Sequence, residues 1–322
     1  MKKYLMFAAV ATLMAACSSD DGPNVKNTTI QLRSGVEGAV TRTLNQDLQS
    51  TQVANGQKVW VEFTTTAATP DQGTGTNAGE WSGTTAKAVY TADGAGALST
   101  TTMTKWPMAS PGTETVDIKA WAPFAAAPSG TQSIKTDQSS EDDYKASDYL
   151  YGSRTGIVNS DIASPILVTF NHMLAKIVIN VSSTVPNVDV QGSTVTFGNP
   201  AAGNIVKDYT ISNTDGSITP NITSKASIKV TGNLGADGKC ACIIVPQTVS
   251  GMLFSIDVPD PSNLLTGGKT KTYSLPSPTT KAYDAGKVYT YNVAIRTDAT
   301  LIVLNETITN WDAQTPEGVI AN

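Results

Sequence analysis

Apolar and polar side chains alternate along much of this chain. Ile30, Leu32 and Val36 fall on one side of such a pattern, with Gln31, Arg33 and Glu37 on the other. That is the period of a strand with one buried face. Strands are also expected over Lys58–Phe63, Ala86–Thr91 and Val116–Ala122. A second block begins near residue 161, with strands at Ile166–Phe170, Lys176–Val181, Ser193–Phe197, Ser227–Val230 and Cys240–Val245. Met252, Phe254, Ile256 and Val258 then alternate with Leu253, Ser255 and Asp257, and Tyr289, Tyr291, Val293 and Ile295 with Thr290, Asn292 and Ala294. The chain closes on Leu301–Leu304 and Ile308–Trp311. Residues 64–80 read as a loop and 125–148 as polar and irregular, with a turn of helix near 141–151 as the one trace of helical periodicity. Short strands separated by Gly, Pro, Asn and Asp predict an all-β sandwich or barrel. Two blocks, 43–160 and 161–322, predict two β-sandwiches in tandem.

The first residues follow a different pattern. Lys2 and Lys3 precede an apolar run over residues 4–16, too short for a permanent membrane helix, which needs roughly 20 residues. A basic start, a short apolar centre and small residues before a cut describe a secretory signal, here residues 1–16. The run ends at Ala15-Ala16-Cys17, and Leu13-Met14-Ala15-Ala16-Cys17 resembles a lipobox with Met where Leu is usual. The expectation is a lipoprotein precursor carrying its lipid on Cys17. Ser18-Ser19-Asp20-Asp21 behind it resembles the surface-export signal of Bacteroidetes lipoproteins.

Composition narrows the function. Charged residues make up 15% of the 322, and Lys+Arg minus Asp+Glu is 22 − 27 = −5. Lys2 and Lys3 contribute +2 and residues 18–42 contribute zero, so the remainder carries −7. An acidic body argues against nucleic-acid binding, which needs a basic face. Besides Cys17, the cysteines are Cys240 and Cys242. In a strand their Cα atoms stand roughly 6.5 Å apart on one face, a poor geometry for a disulfide, so they read as two small buried hydrophobes. No second Cys or His pair completes a zinc site, and no Asp-x-Asp-x-Asn-Gly loop supports calcium.

Catalytic chemistry is not legible. His172 is the single histidine, sits in an apolar run, and reads as a packed residue with a satisfied hydrogen bond. No Gly-x-Ser-x-Gly elbow accompanies it. Asp142-Asp143 reads as a solvated charge pair, and Gly73-Thr74-Gly75 and Gly94-Ala95-Gly96 lack the ending of a phosphate loop. Trp81 and Trp106 could stack on sugars if exposed, although core packing is the commoner use. The expectation is a protein that is not an enzyme and holds no cofactor or metal.

Several stretches together resemble the Bacteroidetes fimbrillins, the pilin superfamily of major-fimbria and Mfa-like subunits. They are Asp148-Tyr149-Leu150-Tyr151-Gly152, Val168–Ile177, Ile243–Thr248, Gly286–Tyr291 and Ile308-Thr309-Asn310-Trp311, with Thr41-Arg42-Thr43 near the start. The resemblance covers nearly the whole chain. It implies two transthyretin-like β-sandwich domains on a structural subunit, a stalk pilin, of a surface fimbria that supports adhesion. It also implies a maturation route from the outer membrane, where the lipid holds the precursor. A trypsin-like protease cuts between Arg42 and Thr43, and the propeptide 17–42 leaves with its first strand, Ile30, Leu32 and Val36. A neighbouring subunit then fills the groove by donor-strand complementation. The implied donor is the C-terminal segment, about 299–322, with Leu301, Ile302, Val303, Leu304 and Ile308 as its apolar residues. Partners would be further copies of the subunit with tip and anchor proteins. The alternatives are a tip or anchor subunit, or a surface lipoprotein that binds glycans without polymerising.

Overall fold

The computed structural model describes residues 29–36, 53–66, 79–107, 115–158, 165–260, 262–265, 268–296 and 301–311. The signal segment, Cys17, Arg42, Thr43 and the residues after Trp311 lie outside the described residues, as does the side chain of Val36. In chain order the elements are β1 (Leu32–Val36), β2 (Lys58–Thr65), β3 (Trp81–Ser82), β4 (Thr85–Ala92), β5 (Ala97–Ser99), β6 (Thr115–Ala122), β7 (Thr131–Ser133), α1 (Glu141–Ala146), β8 (Leu150–Val158) and β9 (Ile166–His172). They continue with β10 (Ala175–Ser183), β11 (Thr194–Phe197), β12 (Ile205–Val206), β13 (Asp208–Ile211), β14 (Ile218–Pro220), β15 (Lys225–Ala226), β16 (Ile228–Thr231) and β17 (Lys239–Ile244). The last are β18 (Gln247–Ser250), β19 (Met252–Asp257), β20 (Thr270–Ser274), β21 (Thr280–Tyr283), β22 (Lys287–Ile295) and β23 (Leu301–Asn310). The protein is all-β with one short helix, as the alternation predicts.

The first sheet runs β2-β6-β8-β9-β1-β5-β4-β3, and β2 also pairs with β4. The hydrogen-bonded order therefore closes into a ring, where a sandwich would keep two separate sheets. Its inward side chains follow the period of two: Val59, Val61 and Phe63 on β2, Ala86, Ala88 and Tyr90 on β4, and Val116, Ile118 and Ala120 on β6. Ile166, Val168 and Phe170 on β9 complete the same core. Trp81 and Trp106 are 3% and 5% exposed within it, and the Trp81 indole donates to the Lys105 carbonyl at 3.0 Å. Neither tryptophan offers a face to a sugar.

A second core lies between two four-stranded sheets, β17-β10-β22-β23 and β16-β11-β19-β20. Three smaller pairings flank them, and one joins β7 to β13. The polar stretch around β7 and α1 therefore belongs here: Ile134, Tyr144 and Tyr149 are members of the second core. Asp208 ties this stretch down, accepting from Ser133 Oγ at 2.6 Å and from Ser224 Oγ at 2.5 Å. Gln138 caps the free side of edge strand β17, donating to the Ile243 carbonyl and accepting from its N–H, both at 2.8 Å. Cys240 and Cys242 on β17 are buried free thiols, and burial pushes both up from the ordinary thiol range.

The two cores meet across a row of aromatic rings. Trp60, Trp121 and Tyr151 lie side by side on β2, β6 and β8, on the opposite face from the first core, and pack on the second. The rings of Trp121 and Tyr151 are 5.5 Å apart. β9 leads through Met173 and Leu174 directly into β10, so one continuous run of chain passes from the first sheet to the second.

Candidate functional site

Strand β1 occupies a slot in the first sheet. It runs parallel to β9 over five residue pairs, Leu32–Ile166 to Val36–Phe170, and antiparallel to β5 through Leu32–Leu98 and Arg33–Ala97. Backbone hydrogen bonds extend the seam on both sides: Ile30 N–H to the Thr104 carbonyl at 2.7 Å, Ser34 N–H to Gly96 at 2.8 Å, and Ile166 N–H to the Gln31 carbonyl at 2.8 Å. Ile30 and Leu32 are 1% and 3% exposed in the first core, while Gln31 and Arg33 face out. The sequence therefore places the strand and its buried face correctly for Ile30 and Leu32. Ser34 shares the inward face, 2% exposed, and its hydroxyl has no hydrogen-bond partner among the described residues. β9 and β5 are neighbours in the ring only through β1. Without β1 both would present open edges beside an apolar groove.

The C-terminal segment forms the opposite feature. β23 is a ten-residue strand paired antiparallel to β22, and no described strand lies on its outer side. A bulge between Asn292 and Val293 changes which side chains face inward. Leu301 is buried and Ile302 and Val303 are half-buried. Beyond the bulge, Ile308 stands beside Tyr289, yet Ile308 is 53% exposed and Leu304 59%. Two large aliphatic side chains thus stand in solvent on an uncapped edge, whereas the opposite edge of the same sheet is covered by Gln138.

A third arrangement sits where the two sheets join. The His172 Nδ1 lies 2.9 Å from Asp148 Oδ1, and both residues are buried. The Trp311 indole stacks on the imidazole, 3.9 Å between centroids and 4° from parallel. The Lys176 ammonium is 5.8 Å from the centre of the Trp311 ring, and burial pushes it down to about 7. Trp311 N–H donates to the Gly286 carbonyl at 2.7 Å, and Gly286 N–H to Leu174 at 2.8 Å. The sequence predicts His172 as a packed, hydrogen-bonded residue, and it is one. It does not reveal that Asp148, Lys176, Gly286 and Trp311 assemble around it. Each belongs to a separate stretch that carries the family resemblance, which is the signal that could have grouped them.

A model of the family described as fimbrillin-like matches residues 41–311. The fold is shared with the crystal structure of a candidate cell adhesion protein from Bacteroides uniformis: TM-score 0.59, 18% identity, 88% of this chain and 98% of that one covered. It is also shared with a candidate cell adhesion protein from Bacteroides ovatus: TM-score 0.61, 16% identity, 90% and 99% covered. No curated protein matches the chain.

Proposed function

The chain belongs to the fimbrillin-like family, and from that premise we propose that it is a stalk pilin, a structural and non-enzymatic subunit of a cell-surface fimbria. In this reading the chain is exported as a lipoprotein held in the outer membrane through Cys17. A trypsin-like protease cuts after Arg42. β1 then gives way to a strand from a neighbouring subunit, and the subunits polymerise, each carrying its two β-cores in tandem.

The observation that supports this best is the placement of β1. It precedes the expected cut, yet its side chains fill the first core and its backbone closes the ring. Fully burying Ile30 and Leu32 contributes about 1.5–3 kcal/mol each. A replacement must therefore bring apolar side chains at alternate positions and a free backbone. The C-terminal segment 299–322 carries the apolar side chains, with Leu304 and Ile308 already exposed, and no described strand lies on the outer edge of β23. Donation by residues 301–310 would require their release from β22, because they are paired within their own subunit. The glycan-binding alternative loses its aromatic platforms, since Trp81 and Trp106 are buried.

The test is polymerisation of purified protein spanning residues 17–322. Trypsin should generate a body beginning at Thr43 and, at high concentration, ladders that survive denaturing gels until boiled. Arg42→Ala should abolish both. A trimmed protein that stays monomeric at high concentration refutes the stalk reading.

A further inference from the structure

We infer that cutting the chain does not itself open the slot: β1 stays seated as a noncovalent plug, and the lipid-bearing peptide departs only when an incoming strand displaces it. The inference rests on the cleavage reading above and adds a control step to it. A subunit that has been cut remains attached to the membrane until another subunit claims its groove, so release from the lipid is coupled to assembly.

The seating of β1 carries the inference. The strand is held by backbone pairing on both sides, to β9 and to β5. The seam continues past its start through Ile30 N–H and a further bridge between Thr29 and Lys105. Ile30, Leu32 and Ser34 are each 3% exposed or less. None of these contacts passes through the Arg42–Thr43 bond, so its hydrolysis leaves all of them in place. Arg33 is exposed, but it lies inside the double seam. A protease needs an unpaired extended segment, so the plug should resist internal cutting and leave whole.

The two flanks of β1 are unequal, and this gives exchange a starting point. β9 pairs with all five residues of the strand, β5 with Leu32 and Arg33 alone, supplemented by the bond from Ser34 to Gly96. Among the described residues, Gly35 and Val36 are paired only with β9. An incoming strand can begin on the β5 side of these last two residues and work back toward Ile30. Stepwise exchange of this kind never exposes the whole groove to water, which avoids the aggregation hazard of two bare edges.

The test uses the chain from Cys17 to Asn322 carrying Lys26→Gln, so that trypsin cannot part the label from β1, with a fluorophore on Cys17, since Cys240 and Cys242 are buried. The bond after Arg42 is cut with trypsin, and in a parallel sample a sequence-specific protease site is placed between Arg42 and Thr43. After cutting, the label should elute from gel filtration with the body at one label per body. It should leave in proportion to added synthetic peptide covering residues 301–322. Leu32→Ala should speed spontaneous loss by about tenfold or more, and Gln31→Ala should not. Label that elutes as free peptide immediately after cutting overturns the plug. Label that stays bound at every peptide concentration overturns the exchange step. Failure of trypsin to cut at Arg42 counts against the cleavage reading alone, because the inserted site still tests the plug, and wild-type retention needs no destabilised variant.

Discussion

Tyr149 and Tyr151 both reach one glycine. The Tyr149 hydroxyl donates to the Gly216 carbonyl at 2.8 Å, and a Cβ on Gly216 would lie 2.2 Å from the Tyr151 ring. Gly216 also has φ +71. Gly216→Ala therefore meets a left-handed backbone penalty of roughly 1–2 kcal/mol together with displacement of a core ring, and denaturant unfolding should show a loss of at least that size. His172→Ala removes a hydrogen bond from the buried Asp148 and the platform under Trp311. A stability loss of about 2–3 kcal/mol is expected. Lys176 makes stability depend on pH. Burial lowers its folded value to about 7 from an ordinary 10.5, so between those values the unfolded chain binds more protons than the folded one. Stability should rise with pH through that window and lose this increment below it. Unfolding titrations from pH 7 to 9 should show the rise in wild type and its absence in Lys176→Met; equal slopes would refute the assignment.

Strands separate by how many of their faces are covered. β2, β4 and most of β6 have one buried face and follow the alternation closely, which is why the sequence shows them. β10 over Ile177–Ile179 and β17 over Cys240–Ile244 are apolar and buried at every position, so their inner face is not legible. Two-residue strands such as β3, β12 and β15 carry too few positions to show any period. The bulge in the β22–β23 pairing is equally hidden. A straight alternation from Leu301 and Val303 would put Ile308 outside, and the extra residue at Leu304 brings Ile308 beside Tyr289 instead. This separates two kinds of variant on one strand. Leu301→Ala, at a buried position, should cost about 2–5 kcal/mol of stability. Leu304→Ser and Ile308→Ser, at exposed positions, should stay within about 0.5 kcal/mol of wild type in monomer unfolding and yet reduce ladder formation. Equal effects on folding at all three positions would remove β23 from the donor account.

At the scale of the molecule, four separated stretches of sequence converge where β9 passes into β10: Asp148, His172 with Lys176, Gly286, and Trp311. Sequence order kept them apart, and only the crossing of the two sheets brings them together. Trp311 is thereby buried against the junction and fixes the end of β23 to its own subunit. At the other end, β1 supplies the closing strand of the first ring. The chain thus begins and ends its described length with strands of opposite standing, one enclosed by two neighbours and one with no described strand on its outer side. On the proposed route, a polymer built by replacing β1 has lost residues 17–42 from each incorporated copy. The most direct measurement is N-terminal sequencing of the polymerised form taken from cells. Thr43 at the terminus is the predicted result, and a polymer whose subunits retain a lipid-blocked Cys17 contradicts it.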